Sequence, residues 1–582
     1  MELFEDYTIE VRKSNGIFYT PDFLANYLAK KALFYAKESS IVTVLDPACG
    51  ESILLQTFKE EISNTDFSSK NIHYIGIDTD VNAISNSTIN FAKENQYCDF
   101  FVADGLFPKA NIESKEDWKS LKLELGIKEG FDIILSNPPW GSNLESYSTG
   151  LLAHNFILAK GQFDIYDLFV ESIIHNLKDG GIYGLILPDS LFNQEHAKLR
   201  RFLLENTEIC LISRLGEKIF EGVSMACVVL IGKKGTAKQN HKIDCVRLNA
   251  VHRKQILSKS LSLENIEKDL VHQILQQRFS ENEDVEFDID LRTNENRIFK
   301  KLLSDSTLLS KLVTNTRGAE ISKKGEAIQC YNCEQWMPTP RTSTVKCNHC
   351  KIALDITRTT NETIILNHNG FGNLKIKVGE DLFRFTSISK SWINTLKPGI
   401  NYKNLKLYEG AKILVRKTGV GITASLDYDN SITNQVVYIL KLRPQFKSGL
   451  TLEFILAVLN SRVLTYFLLK KYGETEWKSH PYLTQTMLNN LPFPKIDINL
   501  AKNKEIINSI STIIKEEVSN SKEKNISKKN DLYIEYCIAM LWGLTKEDYK
   551  FIFEALESAD QLIPIRRLLN CTIEEIFNQN GI

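Results

Sequence analysis

The sequence predicts an α/β fold built on a mainly parallel sheet, followed by a mixed α+β domain. Three observations carry this. Residues 1 to about 250 alternate short apolar runs with helical patterns. Three successive runs end in small or acidic residues, at the carboxyl strand ends where doubly wound sheets hold ligands. From residue 297 onward the pattern breaks into short, irregular segments with many Asn, Thr and Gly.

Seven apolar runs read as strands: 41–46, 73–78, 99–103, 131–136, 182–187, 209–215 and 226–231. Between the fourth and fifth, Ile165, Leu168, Phe169, Ile173 and Leu177 repeat at helical spacing, and Asp179-Gly180-Gly181 turns the chain back. The last two runs are joined by a loop rather than a crossover helix, which predicts an antiparallel end to the sheet. The chain therefore divides into a Rossmann-like seven-strand domain over 1–257 and a polar, acidic connector over 258–296. A mixed α+β domain follows over 297–495, with a cysteine-bearing ribbon at about 328–352. A helical region closes the chain over 496–582.

Composition narrows the function classes. The 582 residues are 43% hydrophobic and 25% charged, which excludes wholesale disorder. Lys and Arg total 71 and Asp and Glu 72, so any nucleic-acid surface must be local. No apolar run reaches the ~18 residues of a membrane helix. The N-terminus, MELFEDYTIEVRK, is acidic where a signal peptide is basic. A soluble, cytoplasmic chain without a membrane partner is expected. Of the 11 cysteines seven are scattered singly, the usage of a reducing compartment.

Asp46-Pro47-Ala48-Cys49-Gly50 sits where the first strand passes into a helix, and the turn at Gly50 lets backbone approach a ligand. The second strand ends in Gly76-Ile77-Asp78, whose carboxylate can accept from a ribose diol. The third ends in Ala103-Asp104-Gly105, whose carboxylate can accept from an adenine amine. The plainer alternative is that Asp78 and Asp104 only cap the turns that follow. Neither GxGxxG nor GxxxxGK[ST] occurs, so a phosphate cradle is missing. A nucleoside cofactor without phosphates, S-adenosyl-L-methionine, fits best.

The fourth strand runs into Ser136-Asn137-Pro138-Pro139-Trp140. Two prolines fix a rigid extended turn. The Asn137 side-chain carbonyl and the Pro138 main-chain carbonyl can both accept hydrogen bonds, and Trp140 offers an aromatic face. An aromatic amine is a weak nucleophile because its lone pair is delocalised. Two acceptors on its hydrogens favour a pyramidal nitrogen and aim the lone pair at a methyl donor. A base in a duplex must leave the stack to reach such a site.

In order and wording these segments resemble the gamma-class, Taq-type adenine-N6 DNA methyltransferases. Phe18-Tyr19-Thr20-Pro21 looks like the family's N-terminal motif, which implies contacts from Tyr19, Thr20 and Pro21 to the methionine part of the cofactor. VLDPACG is similar to its first cofactor motif and implies contacts from Asp46 and Ala48. GID and ADG match at Asp78 and Asp104. LGEKIFEGVSMACVVLIG resembles the segment whose phenylalanine, here Phe220, stacks on the other face of the flipped base. KILVRKTGVGITASLDY, AVLNSRVLTYFLL and HPYLTQTMLNNLPFP extend the likeness over most of 16–495. It implies a seven-strand methyltransferase domain, a target-recognition domain, and site-specific N6 methylation of double-stranded DNA in restriction-modification or phage defence, alone or with a separate restriction or defence subunit. Two departures stand out. Glu51 and Ser52 occupy positions where the family carries small residues, and Trp140 replaces tyrosine.

Cys330-x-x-Cys333 and Cys347-x-x-Cys350 have the spacing of a structural tetrahedral zinc site. Between 388 and 417 seven basic residues face one acidic one, with Trp392, Tyr402 and Tyr408 interleaved. Lys390, Lys403, Lys406, Lys412, Arg416 and Lys417 are the expected DNA contacts. A solvated strand face is the alternative. The rival to an enzyme is a non-catalytic DNA-binding subunit with a decayed cofactor site, supported by Glu51.

Overall fold

The computed structural model describes residues 20–36, 41–65, 71–92, 97–109, 116–141, 144, 147–220, 225–282, 284–340, 344–370, 372–446, 449–472, 483–520 and 525–579. The chain forms two compact units, Met1–Thr293 and Asn294–Ile582.

The first unit is a nine-stranded sheet: β1 (Thr43–Asp46), β2 (His73–Asp78), β3 (Cys98–Val102), β4 (Phe131–Ser136), β5 (Leu177–Pro188), β6 (Thr207–Gly216), β7 (Cys227–Lys234), β8 (Lys242–Arg247) and β9 (His272–Leu275). Their order is β3-β2-β1-β4-β5-β7-β6-β8-β9. The first five pair in parallel, and β7 runs antiparallel between β5 and β6. Helices α1 (Asp22–Tyr35), α2 (Ile53–Ser63), α3 (Val81–Ala92) and α4 (Ile165–Asn176) flank it. Strands β1 and β4 are buried throughout, as a sheet covered on both faces requires.

The seven expected strands all form, but β8 and β9 extend the sheet beyond seven. Strand β9 lies inside the segment 258–296 that reads as a connector. The acidic composition there hides spaced apolar anchors: Ile274, Phe279, Phe287 and Ile289 are buried in the core, and His272 Nε2 bonds the Ile289 carbonyl at 2.8 Å. The boundary therefore falls at 293/294 rather than at 257.

The second unit carries β10 (Val313–Arg317), β11 (Glu326–Gln329), β12 (Trp336–Pro338), β13 (Thr344–Lys346), β14 (Ala353–Asp355), β15 (Thr360–Thr363), β16 (Lys412–Arg416), β17 (Ala424–Asp427) and β18 (Val437–Leu442). An antiparallel sheet β10-β18-β16-β17 sits beside the small sheets β12-β11-β15 and β13-β14. The C-terminal helices are part of this unit's interior. Arg462 is fully buried, and its guanidinium meets Asp531 at 3.0 Å, Glu535 at 3.2 Å and the Leu568 carbonyl at 2.8 Å. Burial alone would raise the Asp531 carboxyl, but Arg384 and Arg462 hold it below its ordinary range. Removing one partner of a buried ion network leaves uncompensated charge at a cost of about 3–5 kcal/mol. Arg462→Ala is therefore expected to destabilise the chain by that amount in chemical denaturation, and a loss under ~1 kcal/mol contradicts this role. No single helix among the described residues is long and apolar enough to cross a membrane.

Candidate functional site

Four neighbouring parallel strands, β3, β2, β1 and β4, end on one edge of the sheet, and each delivers a residue of the site. Asp46 ends β1, Asp78 ends β2, Asp104 follows β3, and Asn137 follows β4.

Asp46 is almost wholly buried. Its Oδ1 accepts from Ala48 N at 3.0 Å and Ser136 Oγ at 3.1 Å, tying the turn after β1 to the end of β4. Burial pushes its carboxyl up to about 7, opposed by those two hydrogen bonds and assisted by the negative charge of Asp78.

Asp78 Oδ2 accepts from Gly50 N at 2.7 Å and Oδ1 from Asp80 N at 2.9 Å. The carboxylate thus holds the turn after β1 against β2. An ionised carboxylate has about four lone-pair sites, so two remain for a diol. The bonds it makes are those of the capping alternative, and they leave room for the ligand reading.

Asp104 is engaged on both oxygens. Oδ1 accepts from Leu106 N at 2.8 Å, and Oδ2 from the Tyr147 hydroxyl at 2.8 Å. Burial and the Asp104 charge keep the Tyr147 phenol protonated. Gly105 lets this turn reach the first one: a Cβ there would lie 1.9 Å from the Pro47 carbonyl oxygen and 2.8 Å from the Phe169 ring. Only glycine permits that approach.

The structure places both residues of the first departure, Ser52 and Glu51. Ser52 precedes α2 in the left-handed region at φ 63°, and its side chain makes no capping bond to the helix. It is fully buried, and its hydroxyl donates to Ser87 Oγ at 2.6 Å while Ser87 Oγ reaches Gly50 O at 3.3 Å. Its side chain braces the turn from behind. Glu51 is exposed and lines a polar groove with Gln56, Asn86 and Asn90.

On the β4 side, Asn137 is half-buried and its Nδ2 donates to Thr20 Oγ1 at 3.2 Å. Pro138 is buried and Pro139 half-buried. The Trp140 indole donates to Ile186 O at 3.4 Å. Trp140 and Phe220 are brought together as expected, but edge to face, with centroids 5.2 Å apart and planes at 84°. Both are buried. A base held between two parallel faces therefore requires one ring to turn. Pro21 caps α1, and Tyr19 lies outside the described residues. The sequence reading missed Ser136, Ser87 and Tyr147. The first adjoins the Asn-Pro-Pro motif; the other two sit in no motif.

In the second unit the four cysteine sulfurs lie within 4.8 Å of one another. Cys330 and Cys350 are 3.7 Å apart, as are Cys333 and Cys347. Tetrahedral Zn–S bonds of ~2.3 Å put sulfurs about 3.8 Å apart. The two knuckles are built alike. Asn332 N points at Cys330 Sγ and His349 N at Cys347 Sγ, both at 3.4 Å, and Glu334 and Lys351 take equivalent left-handed conformations. His349 contacts the Gly399 carbonyl at 3.1 Å through Nε2.

The basic segment is more divided than its sequence. Lys390, Lys403 and Lys406 are exposed, with Lys403 near Glu320 at 3.3 Å. Arg416 and Lys417 are half-buried, and burial and Arg317 together lower the Lys417 ammonium. Lys412 is a correction: it is fully buried, with Asp427 at 2.5 Å and the Tyr408 carbonyl at 2.7 Å, and cannot reach a phosphate. Tyr408, interleaved among these basic residues, is a core side chain.

The N-6 DNA methylase family model matches residues 2–294, and the TaqI-like C-terminal specificity domain matches residues 374–493. The chain is similar to the type II methyltransferase M.BanIII of Aneurinibacillus aneurinilyticus, at 31% identity over 42% of each chain. It is also similar to the type II methyltransferase M.VspI of Vibrio sp. (strain 343), at 28% identity over 43% of this chain and 55% of that one. It thus spans about half the length of these relatives. Among solved structures, the type IIL restriction-modification enzyme MmeI in complex with DNA shares the fold, with TM-score 0.52 at 12% identity over 95% of this chain and 80% of that one.

Proposed function

From the premise that the chain belongs to the N-6 DNA methylase family, we propose that it transfers a methyl group from S-adenosyl-L-methionine to the N6 amine of an adenine flipped out of double-stranded DNA. The observation that carries this is the row of strand ends β3-β2-β1-β4, where three carboxylates sit beside an Asn-Pro-Pro-Trp turn. Carboxylates without a phosphate cradle suit a nucleoside cofactor, with Asp78 on the ribose, Asp104 on the adenine and Asp46 near the cationic end. Bound there, the cofactor supplies an electrophilic methyl group. Asn137 Oδ1 and the Pro138 carbonyl accept hydrogen bonds from the N6 hydrogens and localise the lone pair; as the N–C bond forms the methyl leaves the sulfonium, S-adenosyl-L-homocysteine departs, and the acidic proton of the methylated nitrogen passes to water. Trp140 and Phe220 hold the base. The burial of Ser52 and the outward placement of Glu51 favour this reading over a decayed cofactor site.

Lys390, Lys403, Lys406, Arg416 and Lys417 are the proposed phosphate contacts in the specificity domain. The four cysteines are proposed to hold one structural zinc ion, and a separate restriction subunit is the proposed partner. Long-read sequencing of DNA from cells expressing the chain tests the function: N6-methyladenine at one recurring motif supports it, and unmodified DNA contradicts it.

Two further outcomes follow at the cofactor site. Between its unfolded value and about 7, Asp46 is protonated only in the folded chain, so a bound cation must expel that proton. Cofactor affinity should rise with pH through about 7 and level off above it, with proton release in calorimetry. Asp46→Asn should remove the dependence. A flat profile in the unaltered chain contradicts this role. Tyr147→Phe removes the donor that competes for Asp104 Oδ2, and should tighten the cofactor about fivefold, the value of one hydrogen bond. Weaker binding contradicts the competition.

A further inference from the structure

The hydroxyl of Thr20 lies 3.2 Å from Asn137 Nδ2. Both residues precede a proline, Pro21 and Pro138, so both backbones are confined to extended conformations. Pro21 is anchored in turn: its carbonyl accepts from Leu24 N at 2.9 Å and Ala25 N at 3.0 Å at the start of α1. Two stiff dipeptides from distant parts of the chain thus bring a hydroxyl against the amide that faces the reacting amine. An asparagine amide presents an acceptor on one side and two donors on the other. If it turns over, it offers N–H groups to an amine that is itself a donor, and the acceptor role is lost.

We propose that Thr20 is a positioning residue of methyl transfer: its hydroxyl takes an Asn137 Nδ2 proton and so holds the amide plane with Oδ1 toward the adenine amine. This rests on the adenine-N6 reading above. It departs from the methionine-contact role that the family resemblance implies for Thr20, because the side-chain oxygen is directed to the catalytic amide. A valine at this position keeps the β-branched shape and the Thr-Pro backbone restriction while removing the acceptor. The Nδ2 proton then loses its bond in the productive orientation and the amide samples the unproductive one.

The test compares the full chain with Thr20→Val, Thr20→Ala and Thr20→Ser, using a long unmethylated DNA duplex and S-adenosyl-L-methionine. Turnover and KM are read by methyl incorporation, and cofactor Kd by calorimetry. Valine and alanine are each expected to lower kcat by roughly three- to tenfold, the value of one lost hydrogen bond at a half-buried amide, with cofactor Kd within about twofold. Serine restores turnover. A raised cofactor Kd with unchanged kcat, or a serine variant as slow as valine, overturns the proposal. Methylation by the unaltered chain separates the two readings. If that chain binds cofactor yet methylates no adenine, the function falls and this inference with it; if it methylates and the variants keep full turnover, only the positioning role falls.

Discussion

Asn137→Ala is expected to lower kcat by on the order of a hundred- to a thousandfold, the scale seen when one preorganised group aimed at developing charge is removed. The Asn137 amide bonds Thr20 and follows β4, whereas Asp46, Asp78 and Asp104, the proposed cofactor contacts, lie at the ends of β1, β2 and β3. Cofactor Kd should therefore change little. The pattern to look for is slow chemistry at normal cofactor occupancy, read by methyl incorporation alongside calorimetry. Near-normal turnover would show that the Asn-Pro-Pro-Trp turn is not the reaction centre. A parallel loss of cofactor binding would show that the variant damaged the sheet edge rather than the chemistry.

Cys330→Ser combined with Cys333→Ser is expected to remove zinc and sequence-specific DNA binding together while leaving cofactor binding intact. The ribbon has almost no core of its own: Ile328, Met337 and Leu354 pack with the cysteines themselves. Structural zinc supplies ~10 kcal/mol or more of folding free energy in isolated zinc-finger peptides. Loss of the ion should therefore unfold the ribbon. The effect should travel further, because Trp336 N bonds the Pro398 carbonyl at 2.7 Å and His349 reaches the Gly399 carbonyl. Gly399, at φ 97°, admits that contact, since a Cβ would lie 2.6 Å from the Trp336 oxygen. The ribbon thus braces the turn inside the segment that carries Lys390, Lys403 and Lys406. Metal analysis and DNA binding on the full chain provide the check. Protein purified without chelator that contains no zinc, or a double variant with normal sequence-specific binding, contradicts this account.

Much of the first unit was legible because its strands are short apolar runs that end in recognisable turns. The residues the reading placed at β1, β2, β3 and β4 all end on one sheet edge. Lys412 shows what such reading cannot reach. Its charge suggests a surface, but its meaning is set by strand pairing: it lies opposite Asp427 in the β16–β17 register. Strand β9 was hidden by acidic residues that surround a few buried anchors. Tyr147 carries no motif, and its role depends on the chain folding back onto Asp104. The Trp140–Phe220 pair was foreseen as two stacking faces, and its edge-to-face closure is a conformational fact outside any pattern of residues. Ser52 read as an obstacle because a side chain was placed where glycine is usual. Its direction, toward Ser87, decides the matter.

Nucleoside mass spectrometry tests the central claim most directly. A long unmethylated duplex is incubated with the purified full chain and isotopically labelled S-adenosyl-L-methionine, then digested to nucleosides. The account predicts label in N6-methyldeoxyadenosine alone, and its loss with Asn137→Ala. Label in N4-methyldeoxycytidine, or no labelled nucleoside from a chain that binds the cofactor, would contradict it.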